Sequence, residues 1–247
     1  MNELVSIITP SYNSSSFIEE TIDSVILQTY ENWEMIITDD LSTDNSVEII
    51  QKYIDKDNRI KLIQLEENSG AAVARNASIK NANGKYIAFL DSDDLWIPEK
   101  LEKQITFMKE KNSPFTYSNY NLIDEEGKKL NIIKTPTEKI TYRELLKENQ
   151  IGCLTAIYDQ EKLGKIYMPL IRKRQDFGLW LEILKKIKNA DKINQDLAIY
   201  RVRKNSISSN KIELLKYNYE LFNTHQNLTK LTSIYYLAWN IYRKIKK

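Results

Sequence analysis

The chain predicts an α/β fold: a mixed, mostly parallel sheet flanked by helices, with a helical tail at the C-terminus. Three observations carry this. Up to about residue 110, short apolar runs rich in β-branched residues alternate with stretches of helical periodicity. The connections between them are short, as strand–helix crossover units require. At 247 residues the chain can also bury a core of its own.

Residues 4–9 read as a buried strand, and 17–28 as a helix with Ile18, Ile22, Val25 and Ile26 on one face. Residues 33–38 form a second strand, and 44–54 a helix turning Val47, Ile50 and Ile54 inward. A short strand at 60–64, an alanine-rich helix at 71–82 and a strand at 86–90 follow. Pro98 marks the first turn of a helix over 99–110. The rhythm then changes: strands are expected at 115–121, 153–158 and 196–202, a turn at 124–127 and a helix at 176–187. Residues 165–175, with Lys165, Arg172, Lys173 and Arg174, form a loop expected near the acidic site. The domain division is 1–210 for the catalytic unit and 211–247 for the tail.

The strand at 86–90 empties into Asp91, Asp93 and Asp94, three carboxylates within four residues. Like charges that close repel, and their pKa values rise unless a cation holds them. A hard divalent ion with oxygen ligands, Mg²⁺ or Mn²⁺, is the usual cation, and it commonly carries substrate phosphates. The end of a strand in an open α/β sheet is also where ligands bind. The alternative reading is that the acids only cap the next helix.

Composition excludes other chemistries. Cys153 is the single cysteine and His225 the single histidine, far apart in sequence, which rules out a Cys/His zinc site and argues against Ser-His-Asp or Cys-His catalysis. A lone cysteine also suits a reducing, cytoplasmic location. No signal peptide is expected from Met1-Asn2-Glu3, and no run of about 20 apolar residues spans a membrane. Net charge is +2, which gives no case for nucleic acid. No glycine precedes Gly70, so the Gly-rich loops of P-loop and dinucleotide-binding enzymes are missing. The same absence disfavours the main alternative enzyme, a sugar-phosphate nucleotidyltransferase.

Five blocks in order resemble the family 2 inverting glycosyltransferases of GT-A fold, especially small bacterial enzymes that build surface polysaccharide or lipooligosaccharide. They are Val5 to Asn13, Asp39 to Asp44, Gly70 to Asn76, the Asp91/Asp93 block, and Asp176-Phe-Gly-Leu-Trp180. The resemblance implies a UDP-sugar donor and a saccharide acceptor, free or lipid-linked. It places Pro10, Tyr12 and Asn13 beside the nucleobase and ribose, with Glu19 nearby. Asp40 would accept the uracil imide N–H. Arg75 would meet the diphosphate, Asp91 and Ser92 the ribose side of the donor, and Asp93 the metal. Asp176 would be the general base, although Asp is also a favoured helix N-cap there.

Several positions depart from the family pattern. Leu41 and Ser78 stand where glycine is usual, and Gln175 replaces a carboxylate before the base. In the segment Tyr200 to Ser206, Arg203 replaces a usual histidine; arginine cannot ligate a metal, but it can bind a diphosphate directly. This change keeps a non-catalytic GT-A scaffold as the reading from another class.

The tail has seven Lys/Arg against two Asp/Glu, an excess of +5, leaving −3 for the rest. From Thr229 its apolar residues fall at Leu231, Ile234, Tyr235, Ala238, Ile241, Tyr242 and Ile245, the spacing of an amphipathic helix. Its own domain, a second copy in a homodimer, or an anionic membrane surface would each suit that face.

Overall fold

The computed structural model describes residues 3–203 and 211–245. Strands β1 (Val5–Ser11), β2 (Trp33–Asp39), β3 (Ile60–Gln64) and β4 (Tyr86–Phe89) form a parallel half-sheet in the order β3-β2-β1-β4. Helices α1 (Ile18–Ile26), α2 (Ser46–Ile54) and α3 (Ala71–Asn81) make the crossovers. Along most of β1, β2 and β4 consecutive strand residues are both buried because they feed different layers. Ile7 and Ile37 join Ile22, Val25 and Ile50 in one layer, whereas Ile8, Ile36 and Phe89 join Ala72 and Ile79 in the other. Burial on both faces is why these strands read as unbroken apolar runs.

Past β4 the chain makes β5 (Leu95–Trp96), α4 (Lys100–Lys111), β6 (Phe115–Ile123), β7 (Lys129–Lys134), β8 (Lys139–Ile140) and α5 (Tyr142–Lys147). Then come β9 (Ile157–Asp159), α6 (Gln160–Leu163), α7 (Gln175–Lys186), β10 (Ala190–Arg201), α8 (Lys211–Glu220) and α9 (Lys230–Ile245). Antiparallel β9 sits between β4 and β6, and β6 runs parallel to β10. The sheet is therefore mixed, with its longest ladders parallel.

Four expectations need correction. Residues 153–155 are a 3₁₀ turn rather than strand, fastened by Thr155 N–H and Oγ1, which both donate to Gly152 O. Pro98 lies two residues before α4, outside its first turn. The last strand starts at Ala190, six residues earlier than its apolar pattern indicates, and β7 forms the unforeseen second arm of a hairpin around the 124–127 turn. The tail does return to its own domain, but through α9's polar side. Ser233 and Asn240 are buried there, and the Asn240 amide donates to Leu146 O and Lys147 O at the end of α5.

Candidate active site

The strand order reverses between β1 and β4, the switch point at which open α/β sheets bind ligands. Three loops border it. Pro10 is the penultimate residue of β1 and is partly buried, while the Tyr12 ring beyond it is exposed. Asn13 takes a left-handed backbone (φ 47°). Its N–H donates to Ser42 Oγ (2.9 Å) and its Oδ1 accepts from Thr43 N–H (2.8 Å), strapping the loop after β1 to the loop after β2. Leu41 (φ 63°) holds the left-handed conformation that glycine would supply, so the turn keeps its form at a steric cost. Asp40 is buried, and its oxygens accept from Ser69 N–H (2.7 Å) and Gly70 N–H (2.8 Å), tying this loop to the start of α3. Glu19 does not join this group. Its charge faces α2, where with Asp23 it raises the Tyr53 phenol on top of burial. One helical step of about 100° makes Glu20, not Glu19, the α1 residue that reaches Arg201.

The acidic turn follows β4. Asp94 N–H donates to Asp91 O (3.1 Å), placing Ser92 and Asp93 at the corners. The positive charge that holds these acids comes from three arginines. Arg75 Nη2 donates to Asp91 Oδ1 (2.6 Å) and Arg203 Nη1 to Asp93 Oδ2 (3.0 Å). The Arg201 N–H donates to Asp94 Oδ1 (2.9 Å). Arg201 then grips the turn's backbone: Nε donates to Asp93 O (3.0 Å), Nη1 to Glu125 O (3.1 Å) and Nη2 to Glu20 Oε2 (2.7 Å). The Arg201 and Arg203 guanidiniums lie 4.9 and 5.0 Å from the Phe17 ring centroid. Burial and the neighbouring Asp91 charge still push Asp93 above the usual carboxylate range, against the pull of Arg203. Asp94 is pushed higher, by burial and then by Asp93 and Asp91. The expected segment Tyr200–Ser206 is described only to Arg203; Lys204, Asn205 and Ser206 lie outside the described residues.

Asp176 is the second residue of α7, after Arg174 with φ 70°. Asn149 Nδ2 stands 3.4 Å from its Oδ2 as donor. Arg75 joins this helix to the acidic turn. While Nη2 holds Asp91, Nη1 donates to Gln175 Oε1 (2.9 Å), the residue next to Asp176. Arg75 is 9% exposed, and its two bonds make it a bridge between two carboxylate-bearing segments. Two neighbouring groups feel carboxylates from both segments. The Cys153 thiol is raised by burial and by Asp91 and Asp176, with Arg75 opposing. The Tyr120 phenol is pushed up to about 12 by burial and then by Asp94 and Asp176.

Sequence reasoning passed over Arg201, Phe17, Glu20 and Tyr120. Arg201's one signal was its place beside Arg203, inside an otherwise apolar strand end.

Among the described residues no group of three or more His, Cys, Asp or Glu side chains is arranged to hold a metal alone. Asp93 nonetheless fits a divalent ion in the mode that needs one or two carboxylates plus substrate phosphates. Burial and the Asp91 charge raise its pKa against the pull of Arg203, and a bound cation would relieve both.

A carboxylate turn beside the switch point, joined through Arg75 to the start of a helix that carries Asp176, is the arrangement of a GT-A glycosyl-transfer fold. Residues 6–163 match the model of Glycosyl transferase family 2, and the chain belongs to that family, whose members transfer sugars from nucleotide sugars. It is 50% identical over 213 residues (86% of this chain, 84% of the other) to a Bacillus subtilis (strain 168) protein provisionally named teichuronic acid biosynthesis glycosyltransferase TuaG. It is 43% identical over 246 residues (99% and 94%) to Escherichia coli WfgD, named UDP-Glc:alpha-D-GlcNAc-diphosphoundecaprenol beta-1,3-glucosyltransferase. The fold matches S. aureus TarS 1-349 in complex with UDP-GlcNAc (TM-score 0.74, 22% identity, 97% of this chain, 72% of that one).

Proposed function

We propose that this glycosyltransferase moves one sugar from a UDP-sugar, with inversion, to a hydroxyl of a lipid-diphosphate-linked saccharide in surface-polysaccharide synthesis. The single observation that carries the reading is the Arg75 bridge, which ties the acidic turn at Asp91 to the start of the helix bearing Asp176. The name of WfgD, a uridine-donor enzyme acting on a diphosphoundecaprenol-linked sugar and 43% identical, supports the donor and acceptor classes.

On the donor side, Pro10, Tyr12 and Asn13 border the nucleoside. Each oxygen of Asp40 accepts one backbone N–H; a carboxylate has about four lone-pair sites, which leaves capacity for an imide N–H. Asp91 and Ser92 face the ribose. Arg203, with its side chain 37% exposed, is the cation able to reach the diphosphate, and Arg75 sets positions behind it. Bound Mg²⁺ or Mn²⁺, held by Asp93 and by diphosphate oxygens, would neutralise charge on the leaving group. On the acceptor side, Asn149 orients Asp176, which takes the proton of the attacking hydroxyl. Attack from the face opposite the leaving diphosphate inverts the anomeric carbon, so an α-linked donor yields a β-glycoside.

The test uses the full chain with UDP-, GDP- and CMP-sugars and a synthetic lipid-diphosphate acceptor. Asp176→Asn should lower kcat by roughly 10²–10⁴-fold while leaving the donor Kd nearly unchanged. Undiminished turnover in that variant removes Asp176 as the base. Nucleotide release from a GDP- or CMP-sugar but not a UDP-sugar removes the donor assignment.

A further inference from the structure

Helix α9 presents its hydrophobic stripe to the outside. Leu231, Ile234, Tyr235, Ala238, Ile241 and Tyr242 are all exposed, Leu231 by 82%. The side turned to the body is polar where it is most buried. Asn240 donates to α5 carbonyls and accepts from Asn218 Nδ2 (2.9 Å), and Ser233 is fully buried. Arg243 Nη1 donates to Glu148 (3.2 Å), and Tyr236 packs on Phe222 with ring centroids 6.3 Å apart. These contacts fix the helix's rotation, so the stripe cannot turn inward without breaking the Asn240 network. A surface helix ordinarily does the reverse, burying its apolar face against the core.

Two further features identify the cover. From Lys230 to the end the sequence has no Asp or Glu, and it carries Lys230, Arg243, Lys244, Lys246 and Lys247; Lys246 and Lys247 lie outside the described residues. A second copy docking by the same stripe would set these cations against their own kind, whereas an anionic surface complements them. Tyr235, Trp239 and Tyr242 form a run of edge-packed rings, with centroids 6.4 and 5.5 Å apart. Rings with one polar atom suit the boundary between headgroups and acyl chains. Among the described residues no helix is long and apolar enough to cross a membrane.

We infer that α9 lies flat in the headgroup region of a bilayer containing anionic phospholipid and docks the enzyme there. This stands on the helix itself and holds whichever acceptor is used. The test is sedimentation of the full chain with phosphatidylcholine vesicles, with and without phosphatidylglycerol. The double variant Ile234→Asp/Ile241→Asp alters exposed positions on the outer face of α9 and leaves the Asn240 and Arg243 contacts in place, so its turnover on a water-soluble acceptor should match the wild type. Wild type should sediment with the anionic vesicles and much less with the neutral ones, and the double variant's partition coefficient should fall at least about tenfold. Equal sedimentation of the two proteins overturns the inference. So does a wild-type dimer in light scattering that the variant turns into monomer while neither binds vesicles, since the stripe would then belong to a second copy.

Discussion

Replacing Arg201 with lysine tests whether the acidic turn is held from behind. The guanidinium sends three directed bonds to Asp93 O, Glu125 O and Glu20 Oε2 at 3.0, 3.1 and 2.7 Å. A lysine has one nitrogen and cannot span these positions, so at least one of the two carbonyls loses its donor. A buried acceptor left so costs about 1–3 kcal/mol. Weakening the contact with Phe17 adds about 0.5–1 kcal/mol. The Glu20 side chain is 57% exposed, so water takes over most of that contact, as for surface pairs generally. Arg201→Lys should therefore lower stability by about 2–3 kcal/mol in urea denaturation. Because the bond to Asp93 O sets that carboxylate's place, donor KM should rise roughly 5–30-fold, matching about 1–2 kcal/mol of repositioning, with a smaller change in kcat. A variant that unfolds within about 0.5 kcal/mol of wild type and keeps its donor KM would refute the clasp.

Other substitutions probe separate features. Lys100 is fully buried, donates to Gln104 Oε1 (2.9 Å), and burial holds its amine well below the usual 10.5. Between the folded and unfolded pKa values the unfolded chain binds the extra proton, so this group makes stability rise with pH up to about 10.5. Lys100→Met should remove that slope, seen as a smaller gain in stability between neutral and mildly alkaline pH than wild type shows. At Gly84 an added Cβ would meet Ser6 N at 2.6 Å and Leu4 O at 2.7 Å, both backbone. Gly84→Ala should cost about 3 kcal/mol, read as a lowered Tm. Leu41→Gly removes a left-handed cost of about 1–2 kcal/mol against a glycine entropy cost of about 0.5–1 kcal/mol. It should stabilise by about 0.5–1 kcal/mol in the same denaturation.

Most of the parallel half was legible because β1, β2 and β4 are buried on both faces and α1 and α2 carry an apolar stripe. Ile60–Gln64 is found with the bounds its pattern indicates. Legibility ends where pattern and environment separate. Residues 153–158 have a strand's composition, but only Ile157–Asp159 has partners, on β4 and β6. The first half of β10 is polar enough to hide its pairing with β6. In α9 the periodicity correctly gave a helix, yet hydrophobicity pointed to the face that stays outside. Asn240, whose bonds decide the matter, looks like any helical polar residue. Motifs named Asp91, Asp93 and Asp176, but no local pattern shows that Arg75 would turn inward to Asp91 and Gln175. That depends on what lies 16 residues ahead and 100 residues ahead in the chain.

The clasp also dictates an order of assembly. Asp93 and the side chain that grips its backbone are 108 positions apart, and the chain runs out of the ribosome in one direction only. Throughout that interval the nascent acidic segment has emerged while its rear support is still unmade. A polypeptide ending before Arg201 would carry the loops after β1 and β2 without a settled carboxylate turn beside them. The turn thus settles only after Arg201 has been made, which favours a domain that completes itself cooperatively over one that matures piece by piece.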